Sequence, residues 1–234
     1  MNATKKIKSR LFASIFLALL TLLAGPMIPS PASAAERLNL FGTREFRSEG
    51  LVKFPKWQNT LKRFADEKSV SAKSGANSKC RSGLFRTCDI QEWRDFLDDI
   101  ANEDKRWQID LVQKHINEAR YIVDPINWGM PDYWATPFQF LDRDGDCEDY
   151  AIAKFMSLRA LGFSNDKMRI VVLQDLNLGV AHAVLAVQHH GEVLILDNQN
   201  THVIEASRIH HYKPFYSVNE TGWWLHLKMK NKRG

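Results

Sequence analysis

The spacing of apolar residues changes once along this chain, and that change is the strongest constraint on its fold. Between residues 55 and 161, apolar side chains recur three and four positions apart, as they do on one face of an α-helix. From residue 168 onward, the apolar stretches are short and rich in valine, isoleucine and leucine, which is typical of β-strands. Helices followed by antiparallel strands predict an α+β domain, with N-terminal helices packed on an antiparallel sheet.

The helical spacing predicts four helices, and residues at their ends support the assignment. Pro55 suits a first helical turn, Asp89 can cap a second helix with its carboxylate, and Gly162 can end the last helix. The predicted helices begin at Pro55, after Asp89, at about Asp104 and at about Cys147, and the last two end near Arg120 and Leu161. Residues 35–54 are predicted to be irregular, and 70–83 to be a polar surface loop. The segment 123–140, with three prolines and two tryptophans, is predicted to be a long packed loop. Four strands are predicted after them: 168–174, 181–189, 192–197 and 223–229.

The first 34 residues have the three-part layout of a secretory signal peptide. Four basic residues up to Arg10 precede an apolar stretch at 11–24, and Ala32-Ser33-Ala34 supplies the small residues that a signal peptidase needs. The apolar stretch is shorter than the roughly 20 residues that span a bilayer. We therefore predict a signal peptide at 1–34, export of a single domain at 35–234, and no stable membrane insertion after cleavage.

Cleavage would also change how the charge of the chain is interpreted. The full chain has 32 Lys+Arg and 27 Asp+Glu residues, a net charge of +5 and a pI near 9.1. Such a basic pI is typical of proteins that bind nucleic acids. However, four of the basic residues and none of the acidic ones lie in the predicted signal peptide, so the exported domain carries a net charge of +1. We therefore predict no nucleic-acid partner.

The chain has three cysteines, and export affects how each is interpreted. In an oxidising compartment Cys80 and Cys88 can close a short disulfide loop, or they can remain two free thiols. Either way, Cys147 has no partner, and an unpaired cysteine in an exported protein is a candidate reactive thiol.

Cys147 lies in an acidic motif at the predicted start of a helix, Gly145-Asp146-Cys147-Glu148-Asp149-Tyr150. The N–H groups and partial positive charge of a helix N-terminus favour a thiolate, and the same groups can receive an oxyanion. The adjacent carboxylates act in the opposite direction. An activated Cys147 therefore needs a neighbouring base or a bound cation.

A predicted hairpin supplies a base and a carboxylate for this thiol. His182 lies near the start of one strand, and Asp197 ends the next. A two-residue turn at 189–190 places them directly opposite each other, and a turn at 190–191 makes them diagonal neighbours. In both registers they share one face of the sheet, whereas a three-residue turn would separate them. Asp197 can then orient His182, and His182 can take the proton of Cys147.

Three segments make the chain resemble the bacterial transglutaminase-like cysteine proteinases, in particular the LapG-type periplasmic proteases. The matching segments are Asp132-Tyr133-Trp134-Ala135-Thr136-Pro137, Gly145-Asp146-Cys147-Glu148-Asp149-Tyr150 and Ala181-His182-Ala183-Val184-Leu185, and the match continues through Asp197. The resemblance implies a papain-like or transglutaminase-like fold. It also implies that Cys147 is the nucleophile, His182 the general base and acid, and Asp197 the orienting residue.

The resemblance further implies Ca²⁺ beside the nucleophile, held by Asp146 and Glu148, with Asp149 as a possible additional ligand. Hard carboxylate oxygens suit this ion, and its charge would offset the acids that disfavour a thiolate. Asp142 and Asp144 lie upstream, where a solvated acidic loop is the better interpretation.

The function implied is that of a calcium-dependent cysteine endopeptidase of the periplasm. Its implied substrate is a large surface adhesin, cut near its N-terminal region to release it and promote biofilm dispersal. Its implied regulator is the periplasmic domain of an inner-membrane receptor for cyclic di-GMP. Two alternatives stay open from the residues alone: an acyltransferase or cell-wall amidohydrolase with the same three residues, and a non-catalytic periplasmic binding protein.

Overall fold

The computed structural model describes residues 40–73 and 87–229. In chain order their helices (α) and strands (β) are β1 Thr43–Glu49, α1 Pro55–Lys73, α2 Thr87–Asp99, α3 Lys105–Ile116, α4 Asp124–Asn127, α5 Pro137–Arg143, α6 Cys147–Ala160, β2 Met168–Asp175, β3 Val180–His189, β4 Glu192–Leu196, β5 Ile204–Glu205, β6 Tyr212–Val218 and β7 Gly222–Lys228. The predicted signal peptide and Cys80 lie outside the described residues, so cleavage and the Cys80–Cys88 disulfide stay predictions.

The four predicted helices are α1, α2, α3 and α6, although some of their ends differ from the prediction. Asp104 caps α3, since its Oδ1 accepts the N–H of Arg106 at 2.8 Å. Asp89 does not cap α2, because that helix begins two residues earlier, at Thr87. The predicted loop at 70–83 is wrong at its start, where α1 continues to Lys73, and the remainder lies outside the described residues.

The predicted packed loop at 123–140 is irregular over 128–136, but the prediction is wrong at its two ends, which form the short helices α4 and α5. Each helix has a proline at its first or second position, Pro125 in α4 and Pro137 in α5. Proline suits a first helical turn because its missing N–H has no partner to lose there. Thr136 and Gln139 form a capping box at the start of α5. Pro125 and Pro137 therefore mark helix starts.

Within the described residues, the sheet has seven strands in the order β1-β7-β6-β2-β3-β4-β5, and each neighbouring pair is antiparallel. The four predicted strands correspond to β2, β3, β4 and β7. Helices and an antiparallel sheet confirm the predicted α+β class. None of the helices in the described ranges combines the length and hydrophobicity that a membrane span requires.

Strand β1 was not predicted, because 35–54 was expected to be irregular. It is an edge strand whose side chains are mostly polar, so it has no apolar pattern. Partly buried polar contacts hold it instead: Thr43 Oγ1 lies 2.9 Å from Nδ1 of His226 on β7, and Glu45 Oε2 accepts a 2.6 Å hydrogen bond from Arg169 on β2. The other ring nitrogen of His226 lies 2.9 Å from Ser217 Oγ on β6.

The sheet separates two apolar cores, because successive residues of a strand point to opposite faces. On one face Ile170, Leu185 and Leu196 pack with the helices, and α6 is the central helix of this core. On the other face Val171, Val184 and Ile195 form a smaller core with other apolar residues. Helix α6 is buried along most of its length and ends before Gly162, which has φ +84°. Its first residue, Cys147, is thereby fixed at the edge of the main core.

Candidate active site

Cys147 is the first residue of α6, and the loop before it is fixed by Asp149. The carboxylate of Asp149 is fully buried and accepts the N–H of Ala135 at 2.7 Å and that of Asp146 at 3.3 Å. A Cβ on Gly145 would lie 2.3 Å from Asp149 Oδ2, so this close approach requires glycine. The motif around Cys147 therefore holds the helix N-terminus in one conformation.

The thiol of Cys147 lies between an acidic side chain and strand β3. Its Sγ is 3.2 Å from Glu148 Oε2, and it accepts the backbone N–H of Ala183, the residue after His182. Burial raises the pKa of the Cys147 thiol, and Glu148 and Asp146 raise it further, whereas the Ala183 N–H lowers it. With only protein groups around it, the thiol is protonated at neutral pH.

The hairpin of β3 and β4 has the second of the two predicted registers. His189 pairs with Glu192, and the turn residues His190 and Gly191 both have positive φ, +47° and +84°. These angles are typical of a type I′ turn. The pairing continues to Leu185 and Leu196, so Asp197 is a diagonal neighbour of His182.

His182 and Asp197 form a buried pair. His182 Nε2 lies 2.9 Å from Asp197 Oδ1, and the two residues are 3% and 1% exposed. Asp197 is surrounded by further donors: the Gln199 N–H at 2.9 Å, the Asn200 side-chain amide at 2.8 Å and the Tyr212 hydroxyl at 2.5 Å. Burial opposes the charge of this carboxylate, but its hydrogen bonds and the charge of His182 outweigh it, and the pKa of Asp197 lies below its ordinary value. Asp197 is therefore ionised.

Two side-chain amides from α3 and the residue after it hold the turn that carries Asp197. The side-chain amide of Gln113 donates to the carbonyls of Asp197 and Asn200 at 2.7 and 2.6 Å. Asn117, just after α3, donates to the same two carbonyls at 3.2 and 2.9 Å. Sequence reasoning missed Gln113, Asn117, Asn200 and Tyr212, because none lies in a recognisable motif and tertiary folding alone brings them to Asp197.

An acidic cluster adjoins Cys147. Ligand atoms of Asp146, Cys147 and Glu148 lie within 4.8 Å of one another, and so do those of Asp124, Asp132 and Glu148. A third such group joins Asp124 and Asp146 to Asp149. The structure thus places Asp146 and Glu148 in one cluster and adds Asp124 and Asp132, which the sequence reasoning missed.

The donor set of this cluster fits a hard cation. One oxygen of Asp124 and one of Asp146, both Oδ1, are buried without a hydrogen bond from any described residue. Burial raises the pKa values of Glu148 and Asp124, the latter to about 6, and the nearby carboxylates raise them further. Concentrated carboxylates of this kind favour a divalent ion with oxygen ligands, such as Ca²⁺. Asp144 instead pairs with Arg120 at 2.8 Å, which agrees with its interpretation as a non-ligand.

Comparison with known proteins also points to a cysteine proteinase. A family model described as bacterial transglutaminase-like cysteine proteinase BTLCP matches residues 79–232. No curated protein matches the chain at a significant level. A structure of LapG from Legionella pneumophila is 35% identical to the chain, and the match covers 62% of this chain and 81% of that one, with a TM-score of 0.55. A calcium-bound structure of Legionella pneumophila LapG is 32% identical, and its match covers 71% of this chain and 90% of that one, with a TM-score of 0.57.

The family match covers the motif around Cys147 and the hairpin of His182 and Asp197, and it extends over more than half of the chain. The similar solved structures agree with the papain-like or transglutaminase-like α+β fold. The chain therefore belongs to the bacterial transglutaminase-like cysteine proteinases and is a cysteine peptidase.

Proposed function

We propose that this peptidase cleaves an internal peptide bond of a protein with Cys147 as nucleophile, His182 as general acid and base, and Asp197 as orienting residue. The observation that carries the proposal is the junction of α6 with the hairpin. Cys147 Sγ accepts the N–H of Ala183, while the adjacent His182 is paired with Asp197 at 2.9 Å.

The pairing of His182 determines which ring nitrogen can serve the thiol. Nε2 is engaged by Asp197, so Nδ1 is the nitrogen available to exchange a proton with Cys147. The Cys147 proton passes to Nδ1, and the thiolate forms a bond to the substrate carbonyl carbon. The C–N bond then breaks as Nδ1 protonates the leaving amine, which leaves a thioester. Water, deprotonated at Nδ1, hydrolyses the thioester and restores the thiol.

We also propose that the reaction depends on Ca²⁺ held by Asp146 and Glu148, with Asp124 and Asp132 as further ligands. Their oxygens lie within 4.8 Å of one another in the overlapping groups described above. When bound, the ion would supply positive charge that offsets the carboxylates raising the pKa of Cys147. The calcium-bound form of the similar Legionella LapG supports this assignment. Both oxygens of Asp149 accept backbone N–H groups, so its role here is to fix the loop.

The proposed substrate is a large surface adhesin, and the proposed compartment is the periplasm. The predicted signal peptide supports export, and the resemblance to LapG-type proteases supports cleavage near the N-terminal region of the adhesin, with release of the adhesin and biofilm dispersal. The same resemblance supports regulation by the periplasmic domain of an inner-membrane cyclic di-GMP receptor.

The proposal is tested by incubating the purified chain with the envelope fraction of its own organism, with calcium or with a chelator. We expect one large envelope polypeptide to shorten in calcium only, and N-terminal sequencing of the fragments locates the cut. A Cys147→Ala variant is the control for contaminating proteases. If no polypeptide shortens in a Cys147-dependent manner, the proposed substrate class is wrong. Transfer of an added amine donor, or solubilisation of peptidoglycan, would instead support the acyltransferase or amidohydrolase alternative.

A further inference from the structure

Lys154 is a buried lysine that takes no part in the reaction proposed above. It lies seven residues after Cys147 on α6, which places both on the same side of the helix. Lys154 is 0% exposed, and Nζ makes no hydrogen bond with any part of the chain that the structure describes. The ring of Tyr150, one turn earlier, has its centre 5.7 Å from Nζ.

The side of α6 that carries Lys154 lies near the end of α3. The Tyr150 hydroxyl donates to the carbonyl of Ala119 at 2.6 Å, so this side packs near the end of α3. Helix α3 and the residue after it present Gln113 and Asn117, the neutral amides that hold the turn of Asp197. Each amide also has a buried oxygen, Gln113 Oε1 and Asn117 Oδ1, without a hydrogen bond from any described residue.

Asp197 is the charged group that acts on Lys154. Burial lowers the pKa of Lys154 to about 7, and the field of Asp197 acts in the opposite direction, favouring the ammonium. The groups that face Asp197 are His182 from β3, Tyr212 from β6 and the side chain of Asn200. A positive charge at Lys154 therefore competes with a protonated His182 for the same carboxylate.

An amine is an unfavourable choice for this position if packing is its only role. A buried polar group without a hydrogen bond costs stability, and an apolar side chain of similar volume is often neutral or stabilising in its place. Neighbouring positions of α6 are apolar and fully buried, such as Ile152, Phe155 and Leu158. The presence of Lys154 therefore has a better explanation in the electrostatics of the site.

We infer that Lys154 is a positioning residue, whose ammonium acts through Asp197 to weaken the hold of that carboxylate on the His182 proton. This inference rests on the proposed function. A protonated His182 that is held less tightly by Asp197 is a better acid toward the leaving amine. Lys154 contacts neither thiol nor substrate in this role, and it adds no covalent step.

The test compares Lys154→Met with the wild-type chain in saturating calcium, with the exposed Lys114→Met as a control that removes the same charge elsewhere. We expect Lys154→Met to keep or raise the Tm while lowering kcat/KM about tenfold, the scale typical of residues that orient a reacting group. The alkaline limb of its pH–rate profile should move to higher pH, and Lys114→Met should change none of these values.

A substrate-free measurement separates this inference from the proposed function. In a Cys147→Ala background, the NMR titration midpoint of the His182 imidazole should move upward on Lys154→Met. An unchanged midpoint overturns the inference, as does a lower Tm or a variant that fails to fold, because each assigns Lys154 a packing role. A shifted midpoint in a protein that cleaves no envelope polypeptide would support the inference and contradict the adhesin proposal.

Discussion

Tyr212 donates a 2.5 Å hydrogen bond from its hydroxyl to Oδ2 of Asp197, on the opposite carboxylate oxygen from His182. This contact helps to fix the plane of the carboxylate, because Oδ2 is then held by the Tyr212 hydroxyl as well as by the Asn200 amide, while Oδ1 faces His182. The bond also helps to hold the pKa of Asp197 below its ordinary value.

We expect Tyr212→Phe to lower kcat/KM about tenfold, because Asp197 loses a partner that orients it toward His182. The free energy of unfolding should fall by about 1.5–3 kcal/mol, as is typical of hydrogen bonds to charged groups. Steady-state kinetics and urea unfolding measure the two effects. Phe41, which stacks edge-on against the ring of Tyr212, provides a control: Phe41→Leu should lower stability with little effect on kcat/KM.

Calcium should stabilise the folded chain through the acidic cluster. We expect the free energy of unfolding to rise by about 2.7 kcal/mol when free calcium reaches one hundred times its Kd. Asp146→Asn and Glu148→Gln should abolish most of this gain, whereas Asp144→Asn should keep it, because Asp144 pairs with Arg120. Thermal unfolding with calcium and with chelator gives the comparison. An equal calcium response in all three variants would contradict the ligand assignment.

Gly145→Ala should be among the most damaging single-methyl additions in the chain. The new Cβ would lie 2.3 Å from Asp149 Oδ2, and Asp149 holds the N–H groups of Ala135 and Asp146. We expect a loss of about 1–3 kcal/mol, because the buried carboxylate must give up hydrogen bonds. Denaturant unfolding measures the loss, and unchanged stability would mean that the loop can shift without cost.

The difference in stability between Lys154→Met and the wild type should depend on pH. The pKa of Lys154 is about 7 in the folded chain, well below its ordinary value of 10.5. The unfolded chain therefore binds the proton more tightly, and the cost of this lysine is fully present below pH 7 and fades as the pH rises toward 10.5. We expect the Tm advantage of Lys154→Met to shrink over that interval. A constant difference would show that charge is not its cause.

We expect the protonation of His226 to cause a separate loss of stability in acid. Burial, together with Arg169, lowers the pKa of His226 from 6.5 to about 4. Between these values the unfolded chain binds the proton and the folded chain does not, so stability falls as the pH drops from 6.5 to 4. We expect His226→Gln to flatten this part of the Tm profile. An unaltered slope would assign the acid sensitivity to other groups.

The sequence was sufficient for the parts of the fold that have a local pattern. The buried stripe of α3 follows from the recurrence of apolar residues on one helix face. Strands β2 to β4 follow from their short runs of valine, isoleucine and leucine, which are buried on both faces of the sheet. The pairing of His182 with Asp197 also followed, since both two-residue turns keep them on one face. The register depended on which residues adopt positive φ, and His190 with Gly191 do so.

The parts that could not be predicted depend on contacts between distant segments. Strand β1 has few apolar residues and is held through Thr43 and Glu45 by side chains of β7 and β2. Asp124 and Asp132 lie more than ten residues before Cys147, and only the packing of α4 and its following loop brings them to the acidic cluster. Local spacing contains no information about either arrangement.

The pairing of β1 with β7 joins the first described strand to the last. A growing polypeptide that lacks residues 222–228 has no neighbouring strand for β1, so this edge of the sheet cannot form until those residues have been made. Pairings over such a long sequence separation form slowly, because a large loop must be ordered before they contribute any stability. The proposed catalytic residues thus belong to a domain whose sheet is completed at the β1 edge only by residues 222–228. Removing residues 222–228 should therefore disturb folding more than the distance of β7 from Cys147 along the sequence suggests.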